Sequence, residues 1–202
     1  MKCPKCLRPV DDEAESCYSC GCSEGEAAAK YGANQVFLKR VHDAAACLRK
    51  QERDELGELL DQLEVNFPQL LFCAYLGVLP DDVSVSELGF WLLNHGQVRG
   101  AEYARPNENA ILVIIDIETK RVGVSMGYCA ERLVSEDEVY RSLVKARPSL
   151  LNAEYGMALG TVFTVLAKVL RRKARKLQKS ISREPELPAS EELAENLLDL
   201  PP

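Results

Sequence analysis

Residues 107–131 read NENAILVIIDIETKRVGVSMGYCAE. Six apolar residues in a row, Ala110 to Ile115, lead to Asp116. A polar turn, Glu118-Thr119-Lys120-Arg121, follows, and an alternating segment then returns over residues 122–127. An unbroken apolar run fits a strand covered on both faces, and an alternating one fits a strand nearer an edge. Joined by a short polar turn, the two make a hairpin. Because successive side chains of a strand point to opposite faces, Ile111, Val113 and Ile115 should pack on one helical layer and Leu112 and Ile114 on the other.

Working outward, helices and one more strand surround this hairpin. Residues 36–66 read as helical, with Leu56, Leu59, Leu60 and Leu63 spaced for one apolar face and Pro68 as the stop. LLFCAYLGV, residues 70–78, is a second apolar strand. Ser84-Val85-Ser86-Glu87 fits a capping box for a helix to about His95, where Gly96 ends it, and residues 96–108 read as a loop. Ser135 with Glu138 repeats the capping signal, Pro148 is expected to close that helix, and a last helix should run from about Asn152 to Gln178. Helices alternating with strands predict an α/β fold, a small mixed sheet flanked by helices.

Composition sets the outer limits. The chain has 202 residues, 47% apolar and 28% charged, with a net charge of −6 and a pI near 5.1. It is long enough to bury a core without cross-links. The acidic balance argues against a general nucleic-acid binder, which would carry a basic face. No targeting signal is visible after MKCPKC, and the longest mainly apolar, uncharged stretch of the last helix, Gly156 to Ala167, is short of the ~20 residues that span a bilayer. The expected compartment is the cytoplasm.

Five of the eight cysteines lie in the first 22 residues. Cys3-x-x-Cys6 and Cys17-x-x-Cys20 give two pairs of thiols separated by ten residues. In a reducing compartment such clustering favours a metal over disulfides. Four thiolates suit tetrahedral zinc, and with all four positions filled by Cys no coordination site stays open, so the metal is structural. Pro4 and Gly21 suit the tight turns, and Cys22 is an alternative to Cys20 that the CxxC spacing disfavours. CPKC…CYSCG resembles a zinc ribbon. The organisation read from sequence is a zinc ribbon over 1–23, a small, polar linker over 24–35, an α/β domain over 36–178, and an acidic tail over 179–202 whose composition predicts partial disorder.

Several local motifs stand between residues 49 and 170: Glu108-Asn109-Ala110 ahead of the strand Ile111–Ile115, then Asp116, the returning strand Val122–Met126, Gly127-Tyr128-Cys129-Ala130-Glu131, and the late segment Asn152-Ala153-Glu154-Tyr155-Gly156. In this order they resemble the TPM domain over roughly 60% of the chain. The resemblance implies an α/β sandwich, a divalent cation such as Ca²⁺ or Mg²⁺ in some members, and weak phosphatase activity in some. It also places Asp116 beside the glycine-tyrosine turn, with Glu108, Asn109, Asp116 and Glu131 as the candidate oxygen ligands. The chain departs from the family pattern where Glu108 replaces an Asp, Ala110 a Gly, and Cys129-Ala130 a Gly-Leu. A lost glycine hinders close backbone approach, and a longer acid arm displaces its carboxylate.

Other constellations are weaker. His42 sits on the first long helix as a surface group, and His95 at a helix end, where a cation suits the dipole. Cys129 lacks a His or Asn partner and reads as a small buried thiol. Asp81 and Asp82 follow the first apolar strand, where ligands gather in open α/β sheets, although turns use the same residues. Arg171, Arg172, Lys173, Arg175 and Lys176 make the last helix basic, opposite an acidic tail. A solvated helix end explains them, and contact with nucleic acid or acidic lipid is the other option. The function expected from sequence is a zinc-ribbon and TPM-like module for binding or assembly with protein partners, without catalysis; the alternative is a weak divalent-cation-dependent phosphatase.

Overall fold

The computed structural model of the chain describes residues 3–6, 8–11, 13–99 and 107–181. In chain order the elements are α1 (Glu24–Tyr31), β1 (Val36–Lys39), β2 (Val41–Asp43), α2 (Lys50–Asn66), β3 (Leu71–Gly77), α3 (Val85–His95) and β4 (Gly96–Arg99). A 3₁₀ turn (Asn107–Asn109), β5 (Ala110–Asp116), β6 (Arg121–Met126), α4 (Tyr128–Glu131), α5 (Glu136–Leu151) and α6 (Tyr155–Ile181) complete them. A four-stranded sheet has the order β2-β3-β5-β6, and β1 pairs with β4 in a separate two-stranded ribbon. β2, β3 and β5 run parallel, and β6 returns antiparallel. The sheet is therefore mixed and the fold is α/β, as the alternation of patterns predicts.

β5 lies in the sheet interior, and every one of its residues is buried. Its two faces divide as the period of two requires. Ile111, Val113 and Ile115 join Phe72, Ala74 and Leu76 of β3 in the larger core, which α2 and α6 close with Leu60, Leu63, Leu159 and Phe163. Leu112 and Ile114 join Cys73 in a second core closed by Leu88, Trp91 and Leu92 of α3. α3 approaches the sheet so closely that a Cβ on Gly89 would stand 1.9 Å from Ser125 Oγ and 2.8 Å from Ile114 Cδ1.

Local chemistry sets several boundaries as expected. Ser84 Oγ accepts from Glu87 N–H at 3.0 Å and starts α3. The capping box of α5 is complete, with Ser135 N–H donating to Glu138 Oε2 at 3.0 Å. β6 lies at the sheet edge, and each of its residues is half-buried.

The structure corrects five readings. Residues 36–66 are not one helix: β1 and β2 occupy 36–43, and α2 begins at Lys50. Val36-Phe37 and Val41 favour extended backbone, and Asp43 accepts from Cys47 N–H and Leu48 N–H at 3.0 Å each, closing a turn that has Ala46 at φ 51°. His42 therefore lies on a strand, stacked on Tyr75 with ring centroids 5.5 Å apart. The segment expected as a linker holds α1, capped by Ser23, whose Oγ accepts from Glu26 N–H at 3.2 Å. The loop expected over 96–108 opens with β4, and residues 100–106 lie outside the described ones. Pro148 does not close α5 but sits in its last turn, where it forfeits one backbone bond while its carbonyl accepts from Asn152 N–H at 3.1 Å. α6 starts at Tyr155 rather than Asn152, because Ala153 at φ 58° interrupts the helical path. Most of the acidic tail falls outside the described residues.

Candidate metal centre

The two CxxC turns come together across the N-terminal module. Ser16 and Ser23 form an antiparallel bridge, Cys17 N–H donates to Cys22 O at 2.8 Å, and Gly21 N–H donates to Cys17 O at 2.8 Å. Gly21 takes φ 72°, which lets the chain turn back directly after Cys20. The Sγ atoms of Cys3, Cys6, Cys17 and Cys20 all lie within 4.8 Å of one another. Cys3 Sγ is 3.5 Å from Cys20 Sγ, and Cys6 Sγ is 3.6 Å from Cys17 Sγ. Four thiolates about 2.3 Å from one ion stand about 3.8 Å apart, so these side chains can hold a metal with little movement. Cys22 is not among the four.

The thiols feel one another. Burial works against ionisation of Cys17, but the N–H groups of Ser19 and Cys20 and the Cys6 thiol bring it down to about 7. At Cys20 the Cys22 amide pulls down, while burial and the thiols of Cys3, Cys6 and Cys17 push it up to about 12. Thiols this close resist ionising together, and a cation at their centre removes the conflict.

The module does not stand apart from the α/β body. Lys5 Nζ donates to Glu26 Oε1 of α1 at 2.7 Å. Ala27 and Tyr31 of α1 pack on the α3 core, and the ring of Tyr31 meets that of Trp91 at 5.5 Å. Phe90, Asn94 and Tyr128 of the body share a cavity of about 270 Å³ with Val10, Cys17 and Cys22 of the module. Tyr128 belongs to the glycine-tyrosine turn singled out in the sequence, and Phe90 and Asn94 carry no motif that marks them beforehand.

The second set of candidate ligands is not one site. Hairpin register pairs Asp116 with Arg121 and Ile111 with Met126, and Gly127 N–H donates to Ala110 O at 2.9 Å. Glu108, Asn109 and Glu131 thus sit at the start of β5 and Asp116 at its end. Seven residues of strand separate them, roughly 20 Å. The expected placement of Asp116 beside the glycine-tyrosine turn is wrong for this reason. Among the described residues, Asp81, Asp82, Glu108, Asp116 and Glu131 supply no group of three side chains close enough to share an ion.

Asp116 is fully buried and its carboxylate is spent within the fold. It accepts from Leu79 N–H and Glu118 N–H at 3.3 Å each, from the Thr119 hydroxyl, and from Arg121 Nη2 at 3.0 Å. Burial opposes its ionisation, but the Thr119 hydroxyl, the Arg121 guanidinium and the two amides outweigh it and lower its pKa. Asp43, which sequence reasoning passed over inside a supposed helix, plays the same part at the end of β2. It accepts from two amides and lies 3.5 Å from Arg53 Nη1.

The remaining candidates have ordinary surroundings. Asp82 is exposed and 3.4 Å from Lys30 Nζ, and His95 stacks on Trp91 at 5.3 Å. Cys129 is exposed, not buried: α4 is one turn long and turns Ala130 inward instead. Arg171, Arg172, Arg175 and Lys176 line a hollow of about 370 Å³ on α6. Arg172 and Lys173 reach Glu138 at 2.8 and 2.7 Å.

Comparison with known proteins supports the fold alone. The chain is similar to the solution structure of the N-terminal domain of a protein from P. gingivalis, with 16% identity over 66% of this chain and 83% of that one and a TM-score of 0.52. It is also similar to the N-terminal domain of the cg2496 protein from Corynebacterium glutamicum, with 12% identity over 64% and 78% and a TM-score of 0.50. No family model and no curated protein matches the chain, so the comparisons do not place it in the TPM family. No helix among the described residues is long and apolar enough to cross a membrane.

Proposed function

We propose that the chain binds one zinc ion through Cys3, Cys6, Cys17 and Cys20, and that the ribbon and its TPM-like α/β body form a cytoplasmic module for binding or assembly with protein partners, without catalysis of its own. The observation that carries this is the meeting of four thiols within 4.8 Å. An all-thiolate set favours zinc and leaves no position for a substrate or water, so the ion contributes folding free energy rather than chemistry. A divalent-cation phosphatase would need Asp116 and Glu108 or Glu131 around one ion, with a water held for attack. β5 holds these residues at opposite ends, and Asp116 is already engaged by two amides, a hydroxyl and a guanidinium.

Metal analysis of reduced, folded protein purified without chelator tests the centre. The expected result is one zinc per chain, lost in Cys17→Ser. A zinc content near zero in folded protein would sink the proposal.

A further inference from the structure

We propose that the acidic C-terminal segment of this same chain, residues 184–200, occupies a groove that runs along α6. Two hollows lie along α6 and share Lys168 as a lining residue. The first, about 550 Å³, lies between α2 and α6, floored by Leu56, Leu59 and Val165 and opened by Gly156, Gly160 and Thr164. The second, about 370 Å³, is lined among the described residues by Lys168, Arg171, Arg172, Arg175, Lys176 and Lys179. Steps of three and four residues put these six cations on one stripe of the helix. From Gly156 to Lys179 the two hollows line about 35 Å of the helix, at about 1.5 Å per residue.

Among the described residues the stripe is short of counter-charge. Among the described residues only Arg172 of the six has an ion-pair partner, Glu138. α6 carries no Asp or Glu at all, and every residue from Ala174 to Ser180 is exposed. Like charges three and four residues apart on a helix repel one another. An anionic occupant would relieve this.

The chain itself supplies one. Glu184, Glu186, Glu191, Glu192, Glu195 and Asp199 are six of its 31 acids, and none of its 25 bases lies beyond Arg183. The rest of the molecule therefore balances, 25 acids against 25 bases, and the whole net charge of −6 resides in this segment. Its polarity also has the order that the groove requires. Going back from the end of α6, the groove is first basic and then mixed, where Leu56, Leu59 and Val165 stand beside Lys145, Glu52 and Glu55. Going forward from Arg183, five of the six acids come first, and Leu197, Leu198 and Leu200 come last. Glu195 is thirteen steps along the chain from Ser182, a reach of about 40 Å. Lys168 is about 20 Å back from the end of the helix. Being tethered, the segment faces the groove at an effective concentration in the millimolar range, which an outside polyanion must overcome.

The test is zero-length carbodiimide coupling of the full chain at low concentration, with the linked peptides mapped by mass spectrometry. The reach allows Glu195 to meet Lys168, so under this proposal a Glu195–Lys168 amide is expected in the monomer. The variant R171Q/R175Q keeps every reactive lysine and carboxylate, and both substituted side chains are exposed. It should lower the yield of that link about fivefold, the effect of losing two exposed ion pairs. Raising the salt from about 0.1 M to about 1 M, which shortens the screening length from about 10 to about 3 Å, should lower it similarly in the unmodified chain. A yield indifferent to both changes would mean that the lysine is met only by tethered diffusion, and the proposal would be wrong. Links confined to cross-linked dimers would overturn it too, by making a second copy the occupant.

Discussion

Gly89 is the closest approach of α3 to the sheet, and Gly89→Ala measures that approach. The added Cβ would stand 1.9 Å from Ser125 Oγ and 2.8 Å from both Ser125 Cβ and Ile114 Cδ1. Non-bonded carbon contacts prefer about 3.5–4.0 Å, so the helix must retreat or both neighbours must leave their rotamers. Helix propensity alone would favour Ala by about 1 kcal/mol. Overpacking costs about 1–3 kcal/mol, and an overlap above 1 Å belongs in the upper half of that range. The expected net effect is a loss of about 1–2 kcal/mol, or roughly 2–8 °C in Tm for a chain of this size. Ser125→Gly removes two of the three clashing atoms. In that background Gly89→Ala should therefore be close to neutral, and the coupling free energy should be about 1–2 kcal/mol. Urea unfolding of the four proteins, followed by far-ultraviolet circular dichroism, gives the cycle. A Gly89→Ala variant that gains about 1 kcal/mol, as propensity alone predicts, would refute the packing of α3 on the β5–β6 hairpin.

Glu138→Gln should cost about 1–3 kcal/mol at neutral pH, since it removes a carboxylate bonded to Ser135, Arg172 and Lys173. Burial opposes ionisation there, but Lys173 and the Ser135 N–H and hydroxyl hold the pKa down at about 2. That lies below the unfolded value of about 4.3, so the stabilisation is complete above that pH and disappears as the pH falls towards 2. The gap between wild type and variant in urea titrations should close over that window. Asp116→Asn should destabilise by a similar amount, because Asn keeps one acceptor oxygen where Leu79, Glu118, Thr119 and Arg121 now share two. Its folded pKa is likewise lowered, so its deficit should shrink below about pH 4, and a deficit that persists unchanged in acid would assign the loss to geometry rather than charge.

The parts of the fold that were legible in the sequence are those where one pattern has one cause. Ala110–Ile115 could be read as a two-faced strand because no polar residue interrupts it, and its neighbours fell on the expected faces. Cys3, Cys6, Cys17 and Cys20 could be read as one cluster because CxxC spacing fixes which thiols can converge. Residues 36–43 failed because strands of four and three residues are shorter than any period can register. Their partners, β3 and β4, lie more than 30 residues away in sequence, so the pairing that extends them is tertiary. Asp116 failed for a geometric reason. Short motifs show that Asp116 and Glu131 are fifteen residues apart, but only the register shows that the hairpin carries Asp116 to one end of β5 and Glu131 back to the other.

That separation also clarifies what the two ends of the sheet do. The end with Asp43 and Asp116 is where ligands gather in open α/β sheets. Here both carboxylates are turned onto backbone N–H groups and arginines of the loops that follow, so the chain uses that edge to fix its own turns. At the opposite end, Gly127 lies against the carbonyls of Asn107 and Glu108, so close that a Cβ would stand 2.3 and 2.4 Å from their oxygens. This tight turn leaves Tyr128 directed to solvent and to the cavity it shares with Val10, Cys17 and Cys22. The four-cysteine module lies against this end of the sheet, sharing that cavity with Tyr128. The module has almost no core of its own, so bound metal would supply its folding free energy, and the folded module presents Lys5 to α1 and shares a cavity with Phe90 and Tyr128. Zinc bound at Cys3, Cys6, Cys17 and Cys20 would therefore act on the α/β body through this contact, not through any carboxylate of the sheet.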